Sequence, residues 1–132
     1  MNPDQTSANS GKRVLIVEDE QFLRDLYLEL LKGEDYSVDE AVDGDEALVK
    51  MQQGGYDLVL LDMMLPKKNA LEVLEILKAQ PPKMANKKVV FLTNMAQDTL
   101  MEKGKVYGVM DFLIKSSITP EELLQKVSQY LA

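Results

Sequence analysis

The sequence predicts a doubly wound α/β fold, (βα)5, in which five parallel strands alternate with five helices that cover both faces of the sheet. Two observations predict it. Short aliphatic runs recur along the chain, and each is followed by a segment with apolar residues at three- and four-residue spacing. Aliphatic runs of this length suit strands buried on both faces, and their alternation with helices is typical of a parallel sheet.

The composition restricts the classes of function. A chain of 132 residues with 45% hydrophobic residues fits one domain at 13–132, preceded by a polar segment at 1–12 that is expected to be a flexible tail. The absence of Cys and His excludes disulfides, thiolate or zinc sites and histidine catalysis. The net charge of -7 argues against nucleic-acid binding. No apolar run has the length of a membrane span, so we expect a cytoplasmic protein without membrane partners.

The first two units begin with predicted strands at 13–17 and 36–41. The helix after the first strand is expected to close at Gly33 in a left-handed cap. Asp43 and Glu46 form a capping-box pattern that begins the second helix. The predicted buried stripes of the two helices are Phe22, Leu23, Leu26, Tyr27, Leu30 and Leu31, and then Ala47, Leu48 and Met51.

The third unit contains the most apolar run, Leu58 to Leu61, which leads directly into Asp62. A turn is predicted at 66–68. Asn69 with Glu72 then begins a helix, because this pair again has capping-box spacing. The predicted buried stripe of that helix is Ala70, Val73, Leu74 and Leu77.

The last two units have predicted strands at 89–92 and 110–114. A weaker helix is expected from about 97 to 107, with Gly108 as its stop. The run 119–122, Thr-Pro-Glu-Glu, is a complete helix start with an N-cap hydroxyl and a proline in the first turn. The predicted core residues of these helices are Leu100, Met101 and Val106, and then Leu123, Leu124, Val127 and Leu131.

Polar residues follow four of the five predicted strands. Because the carboxyl ends of parallel strands meet at one edge of the sheet, these residues are expected to converge on one crevice. Three carboxylates there repel one another unless a cation sits among them, and oxygen ligands suit Mg²⁺. An ionised aspartate is also a competent nucleophile without a base. The converging residues are Glu18, Asp19, Asp62, Thr93 and Lys115.

This ordered set resembles the response-regulator receiver domain of two-component signalling, over residues 13–132. The resemblance implies the flavodoxin-like strand order 2-1-3-4-5 and a switch that is controlled by phosphorylation. It rests on Glu18-Asp19, Asp62 followed by Pro66, Leu92-Thr93, Phe112 and Lys115.

The same resemblance assigns roles to individual residues. Asp62 is implied as the phosphoacceptor and as a metal ligand. Asp19 would bind Mg²⁺ directly, Glu18 would bind it through water, and the backbone carbonyl of Met64 would complete the protein ligands. Glu20 is interpreted as N-terminal charge for the first helix, where acids complement the helix dipole.

The remaining implied roles concern the response to phosphorylation. Lys115 would hold a phosphoryl oxygen, while Thr93 would turn inward and allow Phe112 to follow. Two simpler readings stay open at this point. Phe112 is equally consistent with a plain core ring, and Lys115 with an ion pair to Asp62 at the edge of the sheet.

The sequence departs from the family pattern at several positions. Ser116 replaces the proline that usually follows the active-site lysine, so we predict a trans Lys115-Ser116 bond. Asn94 stands where the family usually has a small residue beside the phosphorylation site. Ala70 stands where a glycine is common, which is expected to change the turn after Asp62. The two positions that tune phosphate loss in the family are Met64 and Met95, and neither thioether orients an attacking water strongly, so slow self-dephosphorylation is expected.

The resemblance predicts a receiver that takes a phosphoryl group from a histidine kinase or phosphotransfer protein and is not otherwise an enzyme. Because the sequence stops right after the fifth predicted helix, we expect a stand-alone receiver. Its output would pass to a downstream protein or a self-dimer through the fourth helix, fifth strand and fifth helix. One alternative is a pseudo-receiver that binds proteins without phosphorylation. The other is a haloacid-dehalogenase-like phosphohydrolase. The predicted output face includes Lys103, Lys105, Tyr107 and Gln125.

Overall fold

The computed structural model describes residues 11–94 and 98–132. The predicted tail at 1–12 lies almost wholly outside the described residues, as does Met95. Strands and helices alternate throughout, and none of the described helices has the length and apolarity needed to cross a membrane. The elements are β1 (Arg13–Val17), α1 (Gln21–Lys32), β2 (Ser37–Ala41), α2 (Gly44–Gln53), β3 (Leu58–Asp62), α3 (Ala70–Ala79), β4 (Val89–Thr93), α4 (Asp98–Val106), β5 (Val109–Ile114) and α5 (Pro120–Leu131).

The five strands form one parallel sheet in the order β2-β1-β3-β4-β5, so the predicted architecture and strand order are confirmed. Helices α1 and α5 pack on one face, and α2, α3 and α4 pack on the other. Because β1, β3 and β4 are neighbours, the residues that follow them lie side by side at the carboxyl edge. The apolar interior of the sheet therefore ends at a row of polar side chains.

Local capping signals define the helix starts. The Asp43 carboxylate accepts a hydrogen bond from the Glu46 N–H at 2.8 Å. Asn69 and Thr119 each form a complete capping box with the glutamate three residues later. These interactions involve residues within one turn, which is why the helix starts agree with the sequence pattern.

The predicted left-handed cap at Gly33 is wrong. Gly33 has a φ of -64°, and its N–H donates to the carbonyl of Glu29, so it continues the helical geometry. The left-handed conformation occurs two residues later, at Asp35, with a φ of 70°. Aspartate tolerates this region better than most side chains, so the chain turns there without a glycine.

Two residues that were predicted in buried stripes are exposed. Phe22 is 73% exposed and Val106 is 66% exposed. Phe22 lies in the first turn of α1 and Val106 at the end of α4, and at helix ends the sheet offers less surface to cover a side chain. The close contact of α4 comes from Gly104 instead, where an added Cβ would lie 2.5 Å from Cε2 of the Phe91 ring.

A β-bulge in β5 changes the direction of its side chains. Val109 pairs with Val89, but Asp111 pairs with Val90, so Met110 is an extra residue. Because side chains alternate along a regular strand, the extra residue places Val109 and Phe112 on the same face, although they are three positions apart. The sequence pattern had not predicted this bulge.

Candidate functional site

Asp62 lies at the carboxyl end of β3, the central strand of the sheet. Leu58 to Leu61 are completely buried and Asp62 is only 3% exposed. The backbone N–H of Met64 donates to Asp62 Oδ1 at 3.1 Å. The strand and this hydrogen bond therefore hold the carboxylate at the base of the crevice.

Two further carboxylates come from the loop between β1 and α1. Glu18 is fully buried, and its Oε2 accepts from the N–H of Glu20 at 3.0 Å, whereas Asp19 is exposed. Glu20 caps α1 by accepting from the N–H groups of Phe22 and Leu23, which confirms its interpretation as a helix-start residue. The loop thus contributes Glu18 and Asp19 to the acidic site and Glu20 to the N-cap of α1.

Lys115 connects the carboxylates. Its Nζ donates to Glu18 Oε1 at 2.7 Å and to Asp62 Oδ2 at 2.9 Å, and the lysine side chain is only 8% exposed. The Lys115 N–H also donates to the carbonyl of Thr93 at 2.7 Å, which ties the end of β5 to β4. The simple ion-pair reading of Asp62 and Lys115 is therefore correct for this state, and Glu18 is a second partner that sequence reasoning missed.

Arg24 is another residue that sequence reasoning missed. Its guanidinium donates to the carbonyls of Glu18 and Asp19 at 2.9 and 3.3 Å and pairs with the Glu40 carboxylate at 3.0 Å. Arg24 thus holds the acidic loop against β2. The sequence did contain a signal for this role, because Arg24 is a basic residue about one helical turn after Glu20, the last residue of the acidic run.

The surroundings of Asp62 and Lys115 shift the pKa values of both groups. Burial raises the pKa of Asp62 to about 6, and the neighbouring Glu18 carboxylate acts in the same direction, while Lys115 opposes both. For Lys115, burial alone would lower the pKa, but its hydrogen bonds with Glu18 and Asp62 raise it above the ordinary value. The lysine therefore remains charged near neutral pH and balances part of the acidic charge.

The acidic cluster fits a small, hard cation. One carboxylate oxygen each from Glu18, Asp19 and Asp62 lies within 4.8 Å of the others. Two of these residues are buried and Asp19 is open to solvent, so the set combines fixed oxygen ligands with access for water. This donor set matches the preference of Mg²⁺, which keeps several waters when proteins bind it. The carbonyl of Met64 as a further ligand stays a prediction.

The two predicted switch residues lie on neighbouring strands. Thr93 ends β4 and is 7% exposed, while Phe112 of β5 is half-buried against the core on the α4 side of the sheet. In the described state the ring is therefore a partly covered core residue. Its movement stays a prediction.

The departures from the family pattern also have defined positions. No cis peptide bond occurs in the described ranges, so the predicted trans bond before Ser116 is confirmed. Asn94 is exposed next to Thr93. Ala70 is completely buried at the start of α3, and its N–H donates to the carbonyl of Met63 at 3.2 Å.

The predicted output face stays a prediction, but the surroundings of its four residues are defined. Lys105 and Gln125 are exposed. Lys103 is exposed as well, and together with Tyr107 it lines a cavity with residues of α3. Lys78 Nζ lies 5.6 Å from the centre of the Tyr107 ring. Lys103 and Tyr107 therefore face the groove between α3 and α4, because the end of α4 lies against α3.

Comparisons with known proteins agree with the fold and show the family. The profile of the response regulator receiver domain matches residues 14–128. The chain is 33% identical to the transcriptional regulatory protein ResD of Bacillus subtilis over 131 residues, which cover 97% of this chain and 50% of ResD. It is 37% identical to DltR of Streptococcus agalactiae over 115 residues, which cover 87% of this chain and 50% of DltR. The chain thus spans about half the length of these two curated relatives.

Solved structures show the same similarity. A CheY-like receiver domain protein of Methanospirillum hungatei has a TM-score of 0.79 at 29% identity, covering 91% of this chain and 93% of that one. The chemotaxis protein CheY4 of Vibrio cholerae has a TM-score of 0.77 at 27% identity, covering 91% of this chain and 98% of that one. With its site at the carboxyl edge of a 2-1-3-4-5 sheet, the chain belongs to the response regulator receiver domain family.

Proposed function

We propose that the protein accepts a phosphoryl group on Asp62 from a histidine kinase or phosphotransfer protein, in a reaction that requires Mg²⁺. The observation that carries the proposal is the contact of Lys115 Nζ with both Asp62 and Glu18, beside the exposed Asp19. The crevice thus contains the proposed nucleophile Asp62, the cationic side chain of Lys115 and two further carboxylates that can bind Mg²⁺.

The proposed chemistry is an in-line transfer. A carboxylate oxygen of Asp62 attacks the phosphorus of a phosphohistidine, a P–O bond forms, and the P–N bond breaks as the imidazole leaves and takes up a proton. The bound metal would be held by Glu18, Asp19 and Asp62 and would neutralise phosphoryl oxygens. Lys115 contributes a second positive charge, because it already contacts the attacking carboxylate.

Phosphorylation would then alter the balance of two conformations. The new phosphoryl oxygens are strong hydrogen-bond acceptors, and the Thr93 hydroxyl on the neighbouring strand is the donor proposed to meet them. Movement of Thr93 would release space for the half-buried ring of Phe112. Phosphorylation shifts the population only as far as the two states differ in their interaction with the phosphate.

The phosphorylated state is expected to be long-lived, with no turnover of other substrates. Met64 offers no strong hydrogen-bonding group to orient a water, and Met95 is proposed to act in the same way. The output would pass to a downstream protein or a second copy through α4, β5 and α5. This chain covers only 50% of ResD and 50% of DltR, so a receiver that acts alone stays a prediction.

Incubation with acetyl phosphate and Mg²⁺, followed by intact-mass measurement, tests the proposal. The expected adduct is one PO₃H group, about 80 Da. It should be absent from Asp62→Asn and present in Asp25→Asn, whose exposed carboxylate lies on α1. An unmodified wild-type protein would favour the pseudo-receiver, and rapid turnover of free phosphomonoesters would favour the phosphohydrolase. Either result contradicts the proposed function.

A further inference from the structure

The methionines of this chain differ greatly in exposure. The sequence has eight methionines and no cysteine, so methionine supplies all of its sulfur. Met51 and Met63 are buried, at 1% and 5% exposure, whereas Met64 and Met84 are exposed at 73% and 63%. Since oxidation of a thioether requires access, Met64 and Met84 should react well before the buried pair.

Of the two exposed methionines, Met64 is the one whose backbone contacts the acidic site. Its N–H donates to Asp62 Oδ1 at 3.1 Å, which holds the residue directly beside the proposed phosphoacceptor. Met84 instead forms a bridge with Gly54 in the loop that precedes β4, at the amino edge of the sheet. The two exposed thioethers therefore have similar access to solvent but lie at opposite edges.

We propose that Met64 is an oxidation-sensitive position that controls the lifetime of the phosphoryl group on Asp62, by reaction with hydrogen peroxide or another hydroperoxide. The sulfur takes one oxygen atom from the peroxide, so an S–O bond forms as the O–O bond breaks. The thioether loses two electrons to the peroxide, which leaves as water or an alcohol. A thiol-dependent sulfoxide reductase would restore the thioether: two thiols supply two electrons and form a disulfide, and the oxygen leaves as water.

The expected consequence follows from the hydrogen-bonding capacity of the product. A thioether is a weak acceptor, whereas the sulfoxide oxygen is a polar acceptor able to bind a water molecule beside the phosphoryl group. A positioned water promotes hydrolysis of the aspartyl phosphate, so oxidation shortens its lifetime. This inference rests on the proposed phosphorylation of Asp62.

The reactivity of Met64 is tested by peptide mass spectrometry after graded peroxide treatment of the folded protein. Met64 and Met84 should gain 1 oxygen at comparable rates, well before Met51 and Met63. A rate at Met64 as slow as that of the buried pair would overturn the inference. This measurement does not depend on phosphorylation.

The functional effect is tested by the half-life of the phosphorylated protein, with each variant compared before and after oxidation. In wild type and in Met84→Leu, oxidation should shorten the half-life by about 2- to 10-fold, the factor that corresponds to one net hydrogen bond. Because Met95 is the other proposed lifetime-tuning residue, the decisive pair is Met95→Leu and Met64→Leu/Met95→Leu. Oxidation should shorten the half-life of Met95→Leu and should leave that of Met64→Leu/Met95→Leu unchanged. Treatment with sulfoxide reductase and a thiol should restore the original value in wild type.

The outcomes separate this inference from the proposed function. If unoxidised protein is phosphorylated but oxidation leaves its half-life unchanged, only the role of Met64 is refuted. An equal loss of half-life in oxidised Met95→Leu and in oxidised Met64→Leu/Met95→Leu would also refute that role. If unoxidised protein takes no phosphoryl group, the proposed function fails and the role of Met64 fails with it.

Discussion

Replacing Asp62 with asparagine should stabilise the metal-free protein at alkaline pH. The folded state raises the pKa of Asp62 from 3.8 to about 6, first through burial and then through Glu18. A raised carboxyl pKa gives a contribution that is fully present below pH 3.8 and is lost as pH rises through about 6. At pH 8 the wild-type protein therefore bears the cost of an ionised, buried Asp62.

The size of this cost follows from the difference in pKa. About two pH units at about 1.4 kcal/mol each correspond to about 3 kcal/mol of unfolding free energy. Asparagine has the same shape and keeps one oxygen that can accept from Lys115, while Lys115 retains Glu18 as its charged partner. Its amide nitrogen cannot accept from the Met64 N–H, so that hydrogen bond is lost and offsets part of the gain. Asp62→Asn should thus gain up to about 3 kcal/mol at pH 8 and nothing at pH 4.

Urea unfolding in EDTA at pH 4 and pH 8 measures both values. The exposed Asp25→Asn variant is the control and should differ little from wild type at either pH. Adding Mg²⁺ should stabilise wild type at pH 8 and should stabilise Asp62→Asn less, because the variant has lost one carboxylate ligand. A variant no more stable than wild type at pH 8, or one whose gain is larger at pH 4, would refute the electrostatic reasoning.

Three other perturbations test different parts of the structure. Lys115→Met leaves two buried carboxylates without their cation, so it should lower the unfolding free energy by about 3–5 kcal/mol in metal-free urea unfolding at pH 8. Loss of the ion pair between the exposed Lys67 and Asp43 is the control and should cost less than about 1 kcal/mol. Gly44→Ala places a Cβ 1.9 Å from the backbone oxygen of Lys68, in the turn after β3, and should lower the unfolding free energy by at least about 1–3 kcal/mol. Gly33→Ala is the control: because Gly33 has a helical φ, this variant should be neutral or stabilising in thermal unfolding. Met64→Asn supplies an amide that can position a water, so it should shorten the half-life of the phosphoryl group about 2- to 10-fold. The decay of the intact-mass adduct measures this half-life, and an unchanged value would contradict the lifetime role of Met64.

The sequence alone predicted the features that depend on neighbours along the chain. The strand-end positions of Asp62 and Thr93 followed from the aliphatic runs before them, and the helix starts at Asn69 and Thr119 followed from capping residues three positions apart. Each of these signals acts within a few residues. They therefore needed no knowledge of the packing.

Other features depended on contacts between distant segments. Phe22 and Val106 have suitable helical spacing but lie at helix ends that are left exposed. The bulge at Met110 arises from the register between β4 and β5, and sequence periodicity within β5 does not contain that register. Helical spacing predicts which side chains share a face, but the packed neighbours decide whether that face is covered.

The acidic site combines both kinds of information. The sequence by itself determined that Glu18, Asp19, Asp62 and Lys115 follow strands and would meet at one edge of a parallel sheet. Only the tertiary structure decided that Lys115 binds Glu18 as well as Asp62 and that burial shifts the proton affinity of the aspartate. The reason is physical: a pKa depends on distances and solvent exposure, which exist only after segments 97 residues apart have packed together.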